Sequence, residues 1–173
     1  MTSCGPYSQR YNFTHMFENN IINGKMPTKT YNKGSIMYLI DTHPDFTYFS
    51  YIIKLAEMDI ILDNIQANFT LFVPSDTEIK FKIKYDNFLL DMDQSTAKSI
   101  VLSSLLDYRI PSEILQNSPA SYFNTKYPPN RLFVTNINAL TRINNYMNII
   151  HFDIVCKNGI VHVVDKLINP LEM

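Results

Sequence analysis

The spacing of apolar positions changes along the chain, and each change marks a predicted element. Residues 1 to about 35 show no period: Gly5-Pro6, Asn23-Gly24 and Lys33-Gly34 punctuate a polar run. This stretch reads as an N-terminal arm with one short helix around Phe13 to Ile22. Beyond Asp41-Thr42-His43-Pro44-Asp45, the residues Phe46, Phe49, Ile53, Ala56 and Ile60 recur at steps of three and four, and Ile52 and Leu55 widen the stripe. That spacing predicts a buried helix over 44–62, with a proline in its first turn and an acid at the positive end of its dipole. Phe69 to Val73 is β-branched and aromatic, closes on Pro74, and reads as a short strand. Ser75-Asp76-Thr77-Glu78 then has the form of a capping box.

Ile79 to Tyr85 alternates lysine with apolar residues, which predicts an extended piece with its lysines turned outward to guard an edge. An anion-binding stripe is the alternative there. Asp93 or Ser95 is expected to cap a helix that sends Ala97, Ile100, Val101 and Leu105 to the core. Asp107 to Pro111 should be short and extended, because a residue before proline avoids the helical region. A helical turn over Ser112 to Leu115 and a loop over 117–129 follow. Arg131 to Thr135 and Leu140 to Ile143 read as strands. Asn148 to Cys156 and Ile160 to Val164 form a terminal hairpin, whose Asn158-Gly159 suits positive φ at both central positions of a type I′ turn.

Composition bounds what such a chain does. With 173 residues, 46% of them hydrophobic, it buries a core without metal or disulfide staples. Fifteen Lys and Arg against 16 Asp and Glu argue against a general nucleic-acid binder, which carries a cationic surplus. Cys4 and Cys156 lie at opposite ends, so no disulfide framework is expected. Cys156, in an apolar strand, reads as a buried thiol, and a bridge to Cys4 would require the arm to fold back beside the last hairpin. The first residues lack a signal-like apolar run, and no stretch approaches the roughly 18 apolar residues of a membrane span. The expectation is a chain not exported by the usual route, or one that has been processed. Asn12 and Asn68 begin glycosylation sequons. Abundant Ile, Asn, Lys and Tyr beside only 4 glycines point to an A+T-rich coding genome.

Reactive constellations are missing from the sequence. His15, His43, His151 and His162 have no metal-ligand spacing. No G-x-S-x-G elbow and no glycine-rich phosphate cradle occurs. The reading is of a non-enzyme with no catalytic, cofactor-binding or metal-binding residues and no cofactor. His162 is expected to be a hydrogen-bonded structural histidine, with His151 on the opposing strand able to face the same side.

Three segments in order carry a family resemblance. Thr70-Leu71-Phe72-Val73-Pro74-Ser75-Asp76-Thr77-Glu78 is similar to a "T-x-F-A-P-(ST)-(ND)-x-A-F" block, with Val73 at the alanine. Leu105-Leu106-Asp107-Tyr108-Arg109-Ile110-Pro111 is similar to "L-L-x-Y-H-V-V-P", with Arg109 at the histidine. Asn158 through Pro170, NGIVHVVDKLINP, is close to "N-G-V-I-H-V-I-D-x-V-L-x-P". These blocks resemble the fasciclin-like (fasciclin I) domain family over roughly residues 35 to 171.

The resemblance implies an α+β fold, a β-sandwich or wedge of two sheets with helices packed along one side. It sets domains at 1–35 (arm) and 36–173 (fasciclin-like). Its motif positions here are Thr70, Phe72, Pro74, Asn158, Gly159, His162, Asp165 and Pro170. The segment linked with adhesion in the family corresponds to Asp107, Tyr108, Arg109, Ile110 and Pro111, the candidate partner-binding residues. Packing of the Tyr108 ring into the core is the competing reading of that segment, with Arg109 exposed and able to meet a carboxylate. The function implied is adhesion or surface protein interaction, as a structural component of a viral particle or a cell surface. A small apolar-ligand or lipid pocket is the alternative. The expected partner is a protein or cell-surface component, or further copies in a homo-oligomer, with no nucleic acid and no transmembrane segment. An extracellular, surface or virion location is implied.

Overall fold

A computed structural model describes residues 29–85 and 92–170. The arm helix expected around Phe13 to Ile22, the Asn12 sequon, Cys4 and His15 lie outside them. In chain order the elements are α1 (Ile36–Thr42), α2 (Thr47–Leu55), α3 (Asp59–Asp63), β1 (Phe69–Pro74), α4 (Asp76–Tyr85), α5 (Gln94–Ser103), β2 (Leu105–Leu106), α6 (Ser112–Asn117), β3 (Ala120–Asn124), β4 (Arg131–Ile137), β5 (Leu140–Ile143), β6 (Met147–Cys156) and β7 (Gly159–Val164).

The helix predicted over 44–62 is cut once, after Leu55, and a separate helix α1 precedes it. Ser35 caps α1 by accepting from the Tyr38 amide at 3.0 Å. This helix ends at Thr42 because Pro44 keeps His43 extended, at φ −79° and ψ 130°. The N-terminus of α2 has no cap on its own preceding residue. Asp76 serves instead, its carboxylate accepting from the amides of Tyr48 at 2.9 Å and Thr47 at 3.2 Å and from the Thr47 hydroxyl. At the other end the Glu57 amide donates to Lys54 O and the Met58 amide to Ile53 O, each at 3.0 Å. With Glu57 at φ 56° this is a Schellman stop, built on glutamate where glycine is usual. The stop rotates α3 out of register with α2, so Ile60 is 71% exposed and not on the core face.

Two further expectations are corrected. Residues 79–85 belong to helix α4: the start signal at Ser75 to Glu78 prevails over the lysine alternation, and Ile79 is buried. The supposed loop over 117–129 contains strand β3. By contrast Asp93 caps α5, accepting from the Thr96 amide at 2.8 Å.

The strands follow the order β2-β1-β7-β6-β5-β4-β3 in one seven-strand sheet. The α+β class is as expected, and the hydrogen-bonded order runs through the long β6, which joins β2, β1 and β7 on one side to β5, β4 and β3 on the other. β1 lies between antiparallel β2 and parallel β7, Phe69 opposite Gly159 through Pro74 opposite Val164. Both β1 and β7 are buried at every position, as a strand covered on both faces must be. One core packs α1, α2, α3 and α5 against Leu71, Val73 and Val161. A second gathers Phe72 and Val164 with Leu132, Val134 and Ile143 from β4 and β5.

Cys156 pairs with Gly159, so the central residues of the last hairpin are Lys157 and Asn158, and neither has positive φ. The expected type I′ geometry falls instead on Asn138-Ala139, φ 52° and 65°, between β4 and β5. Gly159 is required for space: at φ 157°, a Cβ there would lie 2.2 Å from Phe69 O. Residues 29–35 pack with the body, ahead of residue 36. Tyr31 is buried, and its hydroxyl and the Lys29 ammonium each reach the Asp59 carboxylate at 2.9 Å. Burial pushes the Asp59 carboxyl up, but those two donors outweigh it and leave it below the usual range.

Candidate interaction segment

The stretch Asp107 to Pro111 has no regular structure of its own, so its backbone groups need other partners. Thr70, buried in β1, supplies two with one hydroxyl. It donates to Tyr108 O at 2.7 Å and accepts from the Ile110 amide at 2.8 Å. His162, fully buried in β7, supplies a third, with Nε2 2.8 Å from Ile110 O. A carbonyl only accepts, so Nε2 carries the proton and Nδ1 is free to accept from the Asp153 amide at 3.2 Å. The imidazole is therefore neutral and fully used. Burial holds its pKa below the ordinary value, against the Ile110 bond and the nearby Asp153 charge, which pull upward. The Phe72 ring lies beside it, with centroids 5.5 Å apart.

Arg109 is placed otherwise than the sequence suggests. Its guanidinium is half-buried and turned inward: Nε donates to Asn68 Oδ1 at 3.0 Å, and Nη2 to Cys156 O and Lys157 O at 3.3 Å each. It ties the segment to the last hairpin turn, so it is a clamp and not a free rim charge. That turn is anchored in its own right. Asn158 Oδ1 accepts from the Ile36 amide at 2.8 Å, and Nδ2 donates to Leu62 O at 2.8 Å and Asn64 O at 3.0 Å.

What remains outward is narrow. Ile110 is buried in the second core, and Pro111 takes the cap position of α6. Tyr108 is 40% exposed, so its ring is not packed away as the competing reading had it. Burial of the remainder raises its hydroxyl pKa, offset by a backbone hydrogen bond at Asn124. The Asp107 carboxylate meets Lys126 at 3.3 Å but stays 62% exposed, and such a pair contributes little. Asp165 of the third motif fastens β6, accepting from the Asn148 amide at 2.8 Å and side chain at 2.9 Å. Pro74 ends β1 opposite Val164, and Pro170 is half-buried after Ile168.

Sequence reasoning missed Ser112 and Asp153. A register irregularity in β6 between His151 and Ile154, with Asp153 at φ 61°, turns that carboxylate toward Ser112. It accepts from the Ser112 amide at 2.9 Å and from its hydroxyl. No alternation pattern marks such a bulge. Burial raises the Asp153 carboxyl, yet the Ser112 bonds outweigh it and the net shift is downward. The same irregularity leaves His151 exposed while His162 is buried, so the two histidines do not meet. Chemically the group is a brace: Ser112 donates to a carboxylate, and both nitrogens of His162 are already taken, so neither can activate a nucleophile. Cys156 is a free buried thiol, pushed to about 11 by burial against the opposing charge of Arg109. Among the described residues, no three His, Cys, Asp or Glu side chains gather as metal ligands, and no helix is long and apolar enough to cross a membrane.

The family model for the Fasciclin domain matches residues 44–170, which takes in the three motif blocks and the segment just described. The chain belongs to the fasciclin domain family. Among solved structures it is similar to the FAS1 domain pair of the insect cell adhesion molecule fasciclin I. The identity is 23% and the TM-score 0.67, over 81% of this chain and 52% of that one. The chain thus spans about half the length of that domain pair, and the likeness establishes the fold. No curated protein matches. Fasciclin domains are cell-adhesion and protein-interaction modules, generally non-enzymatic and typically extracellular or surface-associated.

Proposed function

We propose that this fasciclin domain is a non-enzymatic adhesion module that meets a protein at a cell or particle surface through Asp107 and Tyr108. The observation that carries this reading is the bracing of the segment. Thr70, His162 and Arg109 fix its backbone from three directions, while the Tyr108 ring and the Asp107 carboxylate remain accessible. A segment fixed before binding loses little conformational freedom on contact, and an exposed tyrosine is a favoured interface anchor. The buried residues of the 107–111 segment position this pair and do not themselves touch the partner.

An apolar-ligand pocket is the weaker reading. The depression of about 400 Å³ beside α3 is lined by Ile60, Ile61 and Phe69 as well as Asn32, Asp63 and Asn64, but it is open to solvent, whereas a lipid site calls for an enclosed apolar cleft. The test is attachment of cells to a surface coated with the full chain. Asp107→Ala/Tyr108→Ala is expected to lower attachment at least tenfold and the thermal midpoint by several degrees, with the folded circular-dichroism spectrum kept. Attachment equal to wild type in a folded double variant would remove this segment from the recognition surface.

A further inference from the structure

Charge is divided unevenly along this chain. Between Glu113 and Asp153 there is no Asp or Glu at all, while Lys126, Arg131 and Arg142 fall there. Those residues build strands β3, β4 and β5, the outer end of the sheet. Strands β3, β4 and β5 themselves carry Arg131 and Arg142 and no acid, while Asp165 is held on Asn148, the register partner of Arg142.

Alternation decides which side chains share a face there. Leu132 and Val134 of β4 and Ile143 of β5 point into the second core. The opposite face receives Arg131, Phe133 and Ile137 of β4, Tyr122 of β3, and Leu140 and Arg142 of β5. Register sets them in rows: Tyr122 beside Phe133, Ile137 beside Leu140, and Thr135 between Ala120 and Arg142. Tyr122, Ile137 and Leu140 are 59%, 61% and 51% exposed. The Tyr122 and Phe133 rings lie 4.7 Å apart, and the Arg131 guanidinium sits 4.3 Å from the Tyr122 centroid.

Two observations point to a ligand. Arg142 is exposed and has no hydrogen-bond or ion-pair partner among the described residues. Opposite it in the register, the Thr135 hydroxyl, a group able to donate to a carboxylate, is buried without a hydrogen-bond partner, an arrangement that native structures rarely leave unexplained. The identity of the occupant follows from the chemistry. Uncompensated arginines select carboxylates. Aliphatic Ile137 and Leu140 beside stacked aromatics have the composition of a protein contact, whereas a polyanion such as a sulfated glycan offers no apolar side chains to bury them.

We propose that the outer face of β3–β5 is a second docking surface, for an acidic segment of a partner protein whose carboxylates meet Arg131 and Arg142 and whose apolar side chains cover Ile137 and Leu140. From strand geometry the two arginine Cα atoms stand about 14 Å apart, which matches acidic residues four apart in an extended segment. This rests on the reading of the chain as an interaction module, but it uses a different surface from Asp107 and Tyr108.

The experiment is a fluorescence titration of the full chain with a labelled 12-residue peptide that carries Glu at every fourth position and Leu or Tyr between. A heparin-derived octasaccharide serves as a purely anionic competitor. The peptide is expected to bind, to weaken at least tenfold with Arg131→Glu/Arg142→Glu, and to weaken several-fold with Ile137→Ser/Leu140→Ser. It should be unaffected by Lys98→Glu/Lys166→Glu, an equal charge change at exposed positions elsewhere. Circular dichroism and the melting midpoint establish that each variant is folded. The proposal is overturned by no binding to wild type, by equal losses in both charge-reversal variants, or by an octasaccharide that binds more tightly than the peptide. Cell attachment through Asp107 and Tyr108 is read separately, so failure of this titration leaves that reading standing, and the reverse also holds.

Discussion

Asn158 is the residue whose loss should show most clearly how the 107–111 segment is held. Its side chain is fully buried and satisfies three backbone groups: the first amide of α1, the Leu62 carbonyl near the end of α3, and the Asn64 carbonyl just beyond. Replacement by alanine leaves the Ile36 amide and Leu62 carbonyl buried without partners, and each such group costs about 1–3 kcal/mol. The Asn64 carbonyl, in an exposed residue, can turn to water. Asn158→Ala should therefore destabilise by about 2–6 kcal/mol, a large share of the roughly 5–15 kcal/mol available to a domain. Asn158→Asp is the sharper control. It keeps the acceptor for Ile36 but sets a carboxylate oxygen against two carbonyls, so it should cost at least as much as alanine. Urea denaturation with unchanged slope would read both as shifts of the midpoint. Because Arg109 bonds to the carbonyl of neighbouring Lys157, cell attachment should weaken as well. A loss below about 1 kcal/mol for alanine, or a near-native aspartate variant, would refute the three-bond accounting.

Other expectations follow from the same contacts. Glu57→Gly should stabilise by about 1 kcal/mol in the same urea assay, since glutamate is held in the left-handed region that glycine enters without strain; a loss of stability would show that its side chain contributes more than its backbone costs. His162 should make the fold acid-sensitive. Unfolded, the imidazole takes a proton below its ordinary 6.5, while folded it resists because burial lowers its pKa. Stability is then level above 6.5 and falls as pH drops from there to the folded value, at up to about 1.4 kcal/mol per pH unit. His162→Gln should flatten that window, and an unchanged slope would contradict the neutral, doubly bonded imidazole. The lowered carboxyls of Asp59 and Asp153 act in a separate window below 3.8.

Much of this fold was legible where local signals agree with one another. Asp93 before an apolar helix face, the β-branched run closing on Pro74, and two apolar strands around Asn158-Gly159 each point one way. The errors fall where a signal is absent or two compete. Helix α2 stops on a Schellman turn, but with Glu57 in place of glycine no residue type announces it. Lysine alternation in 79–85 imitates a strand, although the polar start at Ser75 to Glu78 had already set a helix. β3 is only half-buried along its length and lies between prolines, so it lacks the apolar contrast that marks a strand. At the candidate segment, the motif located residues 107–111, but their roles depend on contacts 38 to 52 positions away. Arg109 reads as a surface charge until Asn68 and the 156–157 carbonyls are seen beside it. Ser112 and Asp153 meet only through an irregularity in β6.

The most direct measurement of the proposed adhesion role is a dose–response for cell attachment to surfaces coated with the full chain, repeated with soluble chain as competitor. The account predicts saturable attachment that soluble wild type inhibits and soluble Asp107→Ala/Tyr108→Ala does not. Attachment no greater than on an albumin-coated surface, or inhibition by the double variant equal to that by wild type, would contradict it.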